Sequence, residues 1–260
     1  SEPGSKGTNW RVHLAYDLSR PGVDSIEVTT AAGGETLRRF EVRPGDIVLG
    51  DCGYSHCKGM ASVVNSGGHF LVRMNWQNVP LEHPDGREFE LFKELRRLPE
   101  GGIGEYSVVV APKGKGRIDP FPVRLVALRK TEPAAETARH RAIRERSRRC
   151  RTPDPYTLEA AAYVLVLTTV PHSRLSSRQV LEVYRLRWQV ELVFKRLKSL
   201  LHLDELTAKD PHLAKTFICA KLLMALLLED LTDRYLSFSP WGFRLDRAPT
   251  VLVAHPAHAR

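Results

Sequence analysis

Cysteine is scarce in this 260-residue chain, with four residues scattered as Cys52, Cys57, Cys150 and Cys219. That scatter argues against a disulfide framework and for reduced thiols in a cytosol-like compartment. The group Cys52, His56, Cys57 and His69 lacks the paired C-x2-C spacing of a structural zinc site, so zinc is set aside. Long apolar runs are also missing. The longest, residues 217–228, is broken by Lys221 and falls short of the roughly 20 residues that cross a bilayer, so no membrane partner is expected. The start, SEPGSKG, has neither an apolar signal core nor an initiator methionine and reads as a cut or processed beginning. No repeat of solenoid or propeller period is present. Acidic charge is in deficit: 30 Asp and Glu against 39 Lys and Arg leave a net +9, which favours a polyanionic partner, nucleic acid first. At 42% hydrophobic and 27% charged, the composition is otherwise that of a folded globular protein.

Residues 10–18 and 25–30 read as two strands joined by a turn at Pro21-Gly22. Residues 47–49 form a short buried strand that ends at Gly50-Asp51. A helix over 55–65, closed by Gly67-Gly68, and a strand over 70–76 follow. From Gln77 the texture changes to short β-rich pieces, such as 106–111 and 123–129, punctuated by proline and glycine. Residues 132–151 form a basic helix with seven arginines: Arg139, Arg141, Arg144, Arg146, Arg148, Arg149 and Arg151. It is either a DNA-phosphate surface or a solvated bridge, since charge alone supplies no geometry. After an apolar strand at 162–170, Ser176-Ser177 caps a long helix reaching about Leu203, and Asp210-Pro211 opens a second one to about Leu231. The tail from 238 is expected to be weakly ordered.

The helix from Ser177 carries Tyr184, Arg187, Glu191 and Lys198, spaced Y-x2-R-x3-E-x6-K. With Tyr184 at zero, the other three fall at about 300°, 340° and 320° on an uninterrupted helix, a single narrow stripe. An ordinary i, i+4 surface pair of Arg187 and Glu191 is the bland alternative, worth a few tenths of a kcal/mol. Asp51 favours the functional reading, because a carboxylate at the end of a buried strand can share a hard cation with a helix-borne glutamate.

These residues resemble the DDE transposases of bacterial insertion sequences, in the branch (insertion sequence family four) marked by the Y-R-E-K signature. Further matches are SEPGSKGTNWRVH at 1–13, GGETL at 33–37 and GDIVLGDCGY at 45–54. The resemblance implies an α/β fold, a ribonuclease H-like core of mixed sheet and helices, interrupted by a β-rich insertion. The domain reading is then 1–76 for the first part of the core, 77–175 for the insertion with its basic helix, 176–235 for the C-terminal core helices and 236–260 for the tail. It also implies that Asp51 and Glu191 are catalytic and hold Mg2+, or Mn2+, while Tyr184, Arg187 and Lys198 hold transposon-end phosphates. The partner implied is double-stranded DNA, bound by a homodimer in the bacterial cytoplasm at the nucleoid.

Two departures from the family pattern follow. The first catalytic aspartate and its strand, expected just upstream of residue 1, are not in this chain. Asp17 follows the second core strand and Asp24 precedes the third, so neither is a substitute. Cys52 stands where the family carries arginine, which removes a charge beside the site. The expected activity is metal-dependent cleavage at transposon ends and strand transfer, with this chain a fragment of the enzyme. A noncatalytic DNA-binding remnant is the alternative.

Overall fold

In the computed structural model, residues 10–19, 22–30, 32–112, 118–148, 152–202, 210–236 and 251–259 are described. Nine strands form one mixed sheet in the order β2-β1-β9-β3-β4-β8-β7-β6-β5. The hairpin β1 (Trp10–Asp17) and β2 (Gly22–Thr30) is antiparallel, with a register shift between Ala15 and Tyr16. Strand β3 (Ile47–Gly50) is buried throughout and runs parallel to β4 (His69–Arg73), pairing Gly50 with Val72. Helix α1 (Cys57–Asn65) makes the crossover between them. Its end is closed by Gly67 at φ 74, a conformation that glycine adopts without a Cβ penalty, while the Gly67 and Gly68 N–H groups cap the Val64 and Val63 carbonyls.

Strands β5 (Leu81–Glu82), β6 (Ile103–Val110), β7 (Phe121–Arg129) and β8 (Tyr163–Thr168) lie in the segment that the sequence marks as β-rich. They extend the main sheet, since β8 pairs with β4, β7 with β8 and β6 with β7, all antiparallel. Helices α2 (Leu91–Arg96), α3 (Glu132–Ser147) and α4 (Pro155–Ala160) belong to the same segment. Arg149 and Arg151 of the expected basic helix lie outside the described residues.

Both faces of the sheet are covered, so successive strand residues alternate between two cores. Val48, Phe70, Val72, Leu125 and Leu167 pack with Leu37, Tyr54, Met60 and Leu95 on one face. Val12, Leu14, Leu49, Leu71, Val126 and Val166 pack on the other against three further helices: α5 (Ser177–Arg185), α6 (Trp188–Leu201) and α7 (Pro211–Leu236). Alternation of this kind is why these strands read as nearly continuous apolar runs. Helix α7 is the one described helix long and apolar enough to cross a membrane by length and composition. Its Ala214, Ile218 and Leu222 stripe packs on the sheet, while Leu213, Phe217, Met224 and Leu227 are exposed.

Two expectations are revised. The long helix from Ser177 is broken: α5 stops at Arg185 and α6 starts at Trp188. At the junction Leu186, Arg187, Gln189 and Val190 donate three residues back, to Val183, Tyr184, Leu186 and Arg187, which tightens the turn and shifts the phase of the stripe. The tail is expected to be weakly ordered, yet its described part is β9 (Val251–Ala259), set between β1 and β3. This strand is antiparallel to β1 and parallel to β3, with Ala254 beside Gly50. Its sequence, VLVAHPAHA, contains no carboxylate.

Candidate active site

Asp51 sits where β3 ends, and its position is fixed by the next turn. Its Oδ1 accepts the Gly53 N–H at 2.8 Å, capping a one-turn 3-10 helix over Cys52–Tyr54. A Cβ at Gly53 would run into the Glu35 carboxylate and stand 3.1 Å from Asp51 Oδ1, so glycine is required if Glu35 is to lie against this turn. Glu35 and Asp51 both raise the pKa of the fully buried Tyr54 phenol, after burial itself, the larger cause. The GGETL match thus brings a second carboxylate beside Asp51, a proximity with no local signal in the sequence.

Helix α5 is positioned by a capping box: the Ser176 side chain accepts the Gln179 N–H, and the Gln179 side chain accepts the Ser176 N–H at 2.9 Å. A second device holds the segment before it. Arg124 on β7 donates to the carbonyls of Val170 and Leu175 at 2.7 and 3.0 Å, and forks onto Glu105 of β6 through Nε and Nη2 at 2.8 and 2.9 Å. Glu105 also meets His172 and the Ser177 hydroxyl. Hydrogen bonds from Arg124, then Ser177 and His172, hold the Glu105 carboxyl down at about 2, against the opposing effect of burial.

Tyr184, Arg187 and Glu191 come together across the break between α5 and α6. Arg187 Nη2 meets Glu191 Oε1 at 2.8 Å, and its guanidinium stands 5.8 Å from the centre of the Tyr184 ring. The Arg187 side chain is 17% exposed and that of Glu191 42%. Burial works to lower the Arg187 pKa, but Tyr184, Glu191 and Asp51 outweigh it, and the net shift is upward. Asp51 therefore lies within electrostatic reach of the cation that Glu191 touches. Burial, partly offset by Arg187 and Arg73, pushes the Tyr184 phenol up to about 12, so it is protonated and able to donate. Its hydroxyl and the Arg187 Nε are buried with no hydrogen-bond partner among the described residues. Lys198 lies on α6, but its side chain is outside the described residues. Sequence reasoning does not single out Trp188, whose indole is 51% exposed beside Arg187, or Arg73, whose charge reaches Tyr184 and Cys52.

Among the described residues no three His, Cys, Asp or Glu side chains gather as a metal cluster. Burial chiefly raises the Cys52 thiol pKa, and its sulfur points to the Met74 carbonyl at 3.9 Å. The Asp51 and Glu191 carboxylates are hard oxygen donors, suited to a cation that completes its shell with water and phosphate oxygens. A cleft of about 240 Å³ between α2, α3 and α4 is a separate feature, where Arg96 and Arg139 are already paired with Glu159 and Glu132.

The family described as Transposase DDE domain matches residues 7–228. The transposase for insertion sequence element IS421 of Escherichia coli is 38% identical over 242 residues, covering 92% of this chain and 65% of that protein. The transposase for insertion sequence element IS231F of Bacillus thuringiensis subsp. israelensis is 24% identical over 225 residues, covering 78% of this chain and 46% of that protein. The chain thus spans under two thirds of the length of these relatives.

Proposed function

The chain belongs to the transposase DDE domain family, and on that premise we propose that it is part of a DNA transposase of the insertion sequence family four branch. The mixed sheet covered by helices is then its ribonuclease H-like core, with residues 77–175 as the insertion. Asp51 and Glu191 are the catalytic carboxylates and metal ligands, and Tyr184, Arg187 and Lys198 bind backbone phosphates at a transposon end. The observation that carries this reading is the half-buried Arg187, held between Glu191 and the field of Asp51 with its Nε unpaired. A buried guanidinium with a spare donor, next to a protonated phenol with none of its hydrogen bonds made, is a receptor for a phosphate oxygen.

Magnesium, or manganese in its place, would be held by Asp51 and Glu191 and would supply Lewis-acid polarisation of a phosphoryl oxygen and a water of lowered pKa. The residues of this chain orient the DNA. Arg187 fixes a phosphate beside the carboxylates, Tyr184 donates to the same backbone, and the Arg124 and Glu105 bracket keeps α5 at its angle to the sheet. Cleavage at a transposon end leaves a 3′-hydroxyl, and strand transfer is a second displacement at the same site. The exposed apolar side of α7 supports a homodimer, and the basic balance supports work on nucleoid DNA in the cytoplasm.

A noncatalytic DNA-binding remnant is the second reading, favoured by β9, which lies beside β3 and adds no carboxylate. Nicking of supercoiled plasmid DNA in Mg2+ or Mn2+, by the full-length parent that carries the upstream aspartate, separates the two. Metal-dependent nicking that is lost in both Asp51→Asn and Glu191→Gln supports the transposase. Duplex binding with no nicking supports the remnant, and nicking that survives both substitutions overturns the site.

A further inference from the structure

Strand register places two cations on a diagonal leading away from Asp51. Gly50 pairs with Val72, so Asp51 and Arg73 leave β3 and β4 at the same level. Arg73 is level with Val166 on β8, which pairs with Val126 on β7. Four residues further along β7's course comes Lys130, whose Nζ donates to the Ala161 carbonyl at 2.6 Å and keeps two further donors. Thr131 then caps α3, so the helix starts where the diagonal ends.

On α3, Arg141, Arg144 and Arg148 at its C-terminal cap fall within about 60° of one another, on one side of the helix. All three are exposed, and none is in an ion pair among the described residues. Elsewhere on the helix, Arg139 is held by Glu132 at 2.6 Å and His140 lies 3.8 Å from Glu136, while Glu145 and Arg146 are in no ion pair among the described residues. Arg73, exposed at the end of β4, likewise has no carboxylate partner among the described residues. Burial first, then Arg73 and Arg141, lowers the Lys130 pKa, so the sheet end and the helix stripe converge on that ammonium. Glu145 is the one acid within this stripe, so the cations outnumber it, and a surplus of like charge on one face favours an anionic partner.

We infer that Arg73, Lys130 and the Arg141–Arg144–Arg148 stripe of α3 form one rail for the phosphate backbone of a DNA duplex whose end lies at Asp51 and Glu191. This rests on the reading of the site given under Proposed function. Two strand spacings and four residues of rise put Lys130 about 16 Å from Arg73, and sixteen helical residues add about 24 Å. Together these span at most about 12 base pairs, at about 3.4 Å each. The basic helix is therefore a binding surface, the first of the two alternatives that its composition leaves open.

The test is a salt series of duplex DNA binding by fluorescence anisotropy. It compares the chain with the triple variant Arg141→Gln, Arg144→Gln, Arg148→Gln. A control triple, Arg38→Gln, Arg43→Gln, Arg87→Gln, removes the same charge away from α3 and β4. The stripe variant is expected to lower the slope of log K against log salt by about 2.7, at about 0.9 per phosphate contact, with unchanged circular dichroism. The control is expected to change it by less than about 1, and the matching triple Arg→Lys variant to restore it. Equal slopes in the chain and the stripe variant, equal losses in stripe and control, or a loss seen only with single-stranded RNA overturn the rail while leaving the site standing. Failure of the unaltered chain to bind duplex DNA overturns the reading of the site as well.

Discussion

Glu105 and Glu191 each hold an arginine at 2.8 Å, and their surroundings differ in one respect. Arg124 makes a two-pronged pair with Glu105 and spends its remaining nitrogen on two backbone carbonyls, while Glu105 adds a histidine and a serine hydroxyl. Arg187 makes one contact to Glu191 and keeps a buried Nε unpaired, beside a tyrosine hydroxyl in the same condition. A saturated cluster has nothing left for a ligand and acts as a fastener. An unsaturated one stores a cost that a phosphate can relieve.

The largest expected effect is on the saturated side. The side chains of Arg124 and Glu105 are 12% and 25% exposed, so Arg124→Ala strands a largely buried carboxylate. It is expected to destabilise the chain by about 3 kcal/mol in urea unfolding. A change under about 1 kcal/mol would remove the contrast between the clusters. Next comes acid. Because the Glu105 pKa is depressed, its contribution is present above the unfolded value near 4.5 and is lost as pH falls through about 2. Discounted for solvent screening, about 2 kcal/mol of stability should disappear across that window, and Glu105→Gln should abolish that part of the acid dependence. The smallest stability effect belongs to the unsaturated side. Tyr184→Phe removes an unpaired buried hydroxyl and should leave stability unchanged or raise it by up to about 1 kcal/mol, while weakening duplex DNA binding several-fold. Lost stability with intact DNA binding would make Tyr184 a packing residue.

Much of this molecule can be read from local pattern. The hairpin, β3 with Asp51 at its end, α1 closed by Gly67, and the Ser176 and Asp210 caps are all set by neighbours in sequence, and the structure has them. The association of Tyr184, Arg187 and Glu191 is legible for the same reason, although the helix is interrupted between the first two. The interruption itself is not legible, because residues 186 and 187 keep right-handed helical dihedrals and only their hydrogen bonds shorten by one residue. Contacts across distant segments are also hidden. Glu35 against Gly53, Arg124 beneath the loop before α5, and the joining of β8 to β4 depend on tertiary register, which residue type does not encode. Arg73 and Arg141 look like ordinary surface charges until the fold brings both within electrostatic reach of Lys130.

Strand β9 sets the order in which the sheet can be completed. Its partners are near the start of the described chain: Trp10 pairs with Ala259, and Ile47 with Val251. The β1 hairpin and the β3–β4 pair are each built from nearby segments, and β9 is the strand that stands between them in the sheet. Before residues 251–259 are in place, each carries an open strand edge on that side. Closing that gap joins residues almost a full chain length apart, a slow step for a fold rich in non-local pairs, and the waiting edges are sites for pairing with other chains.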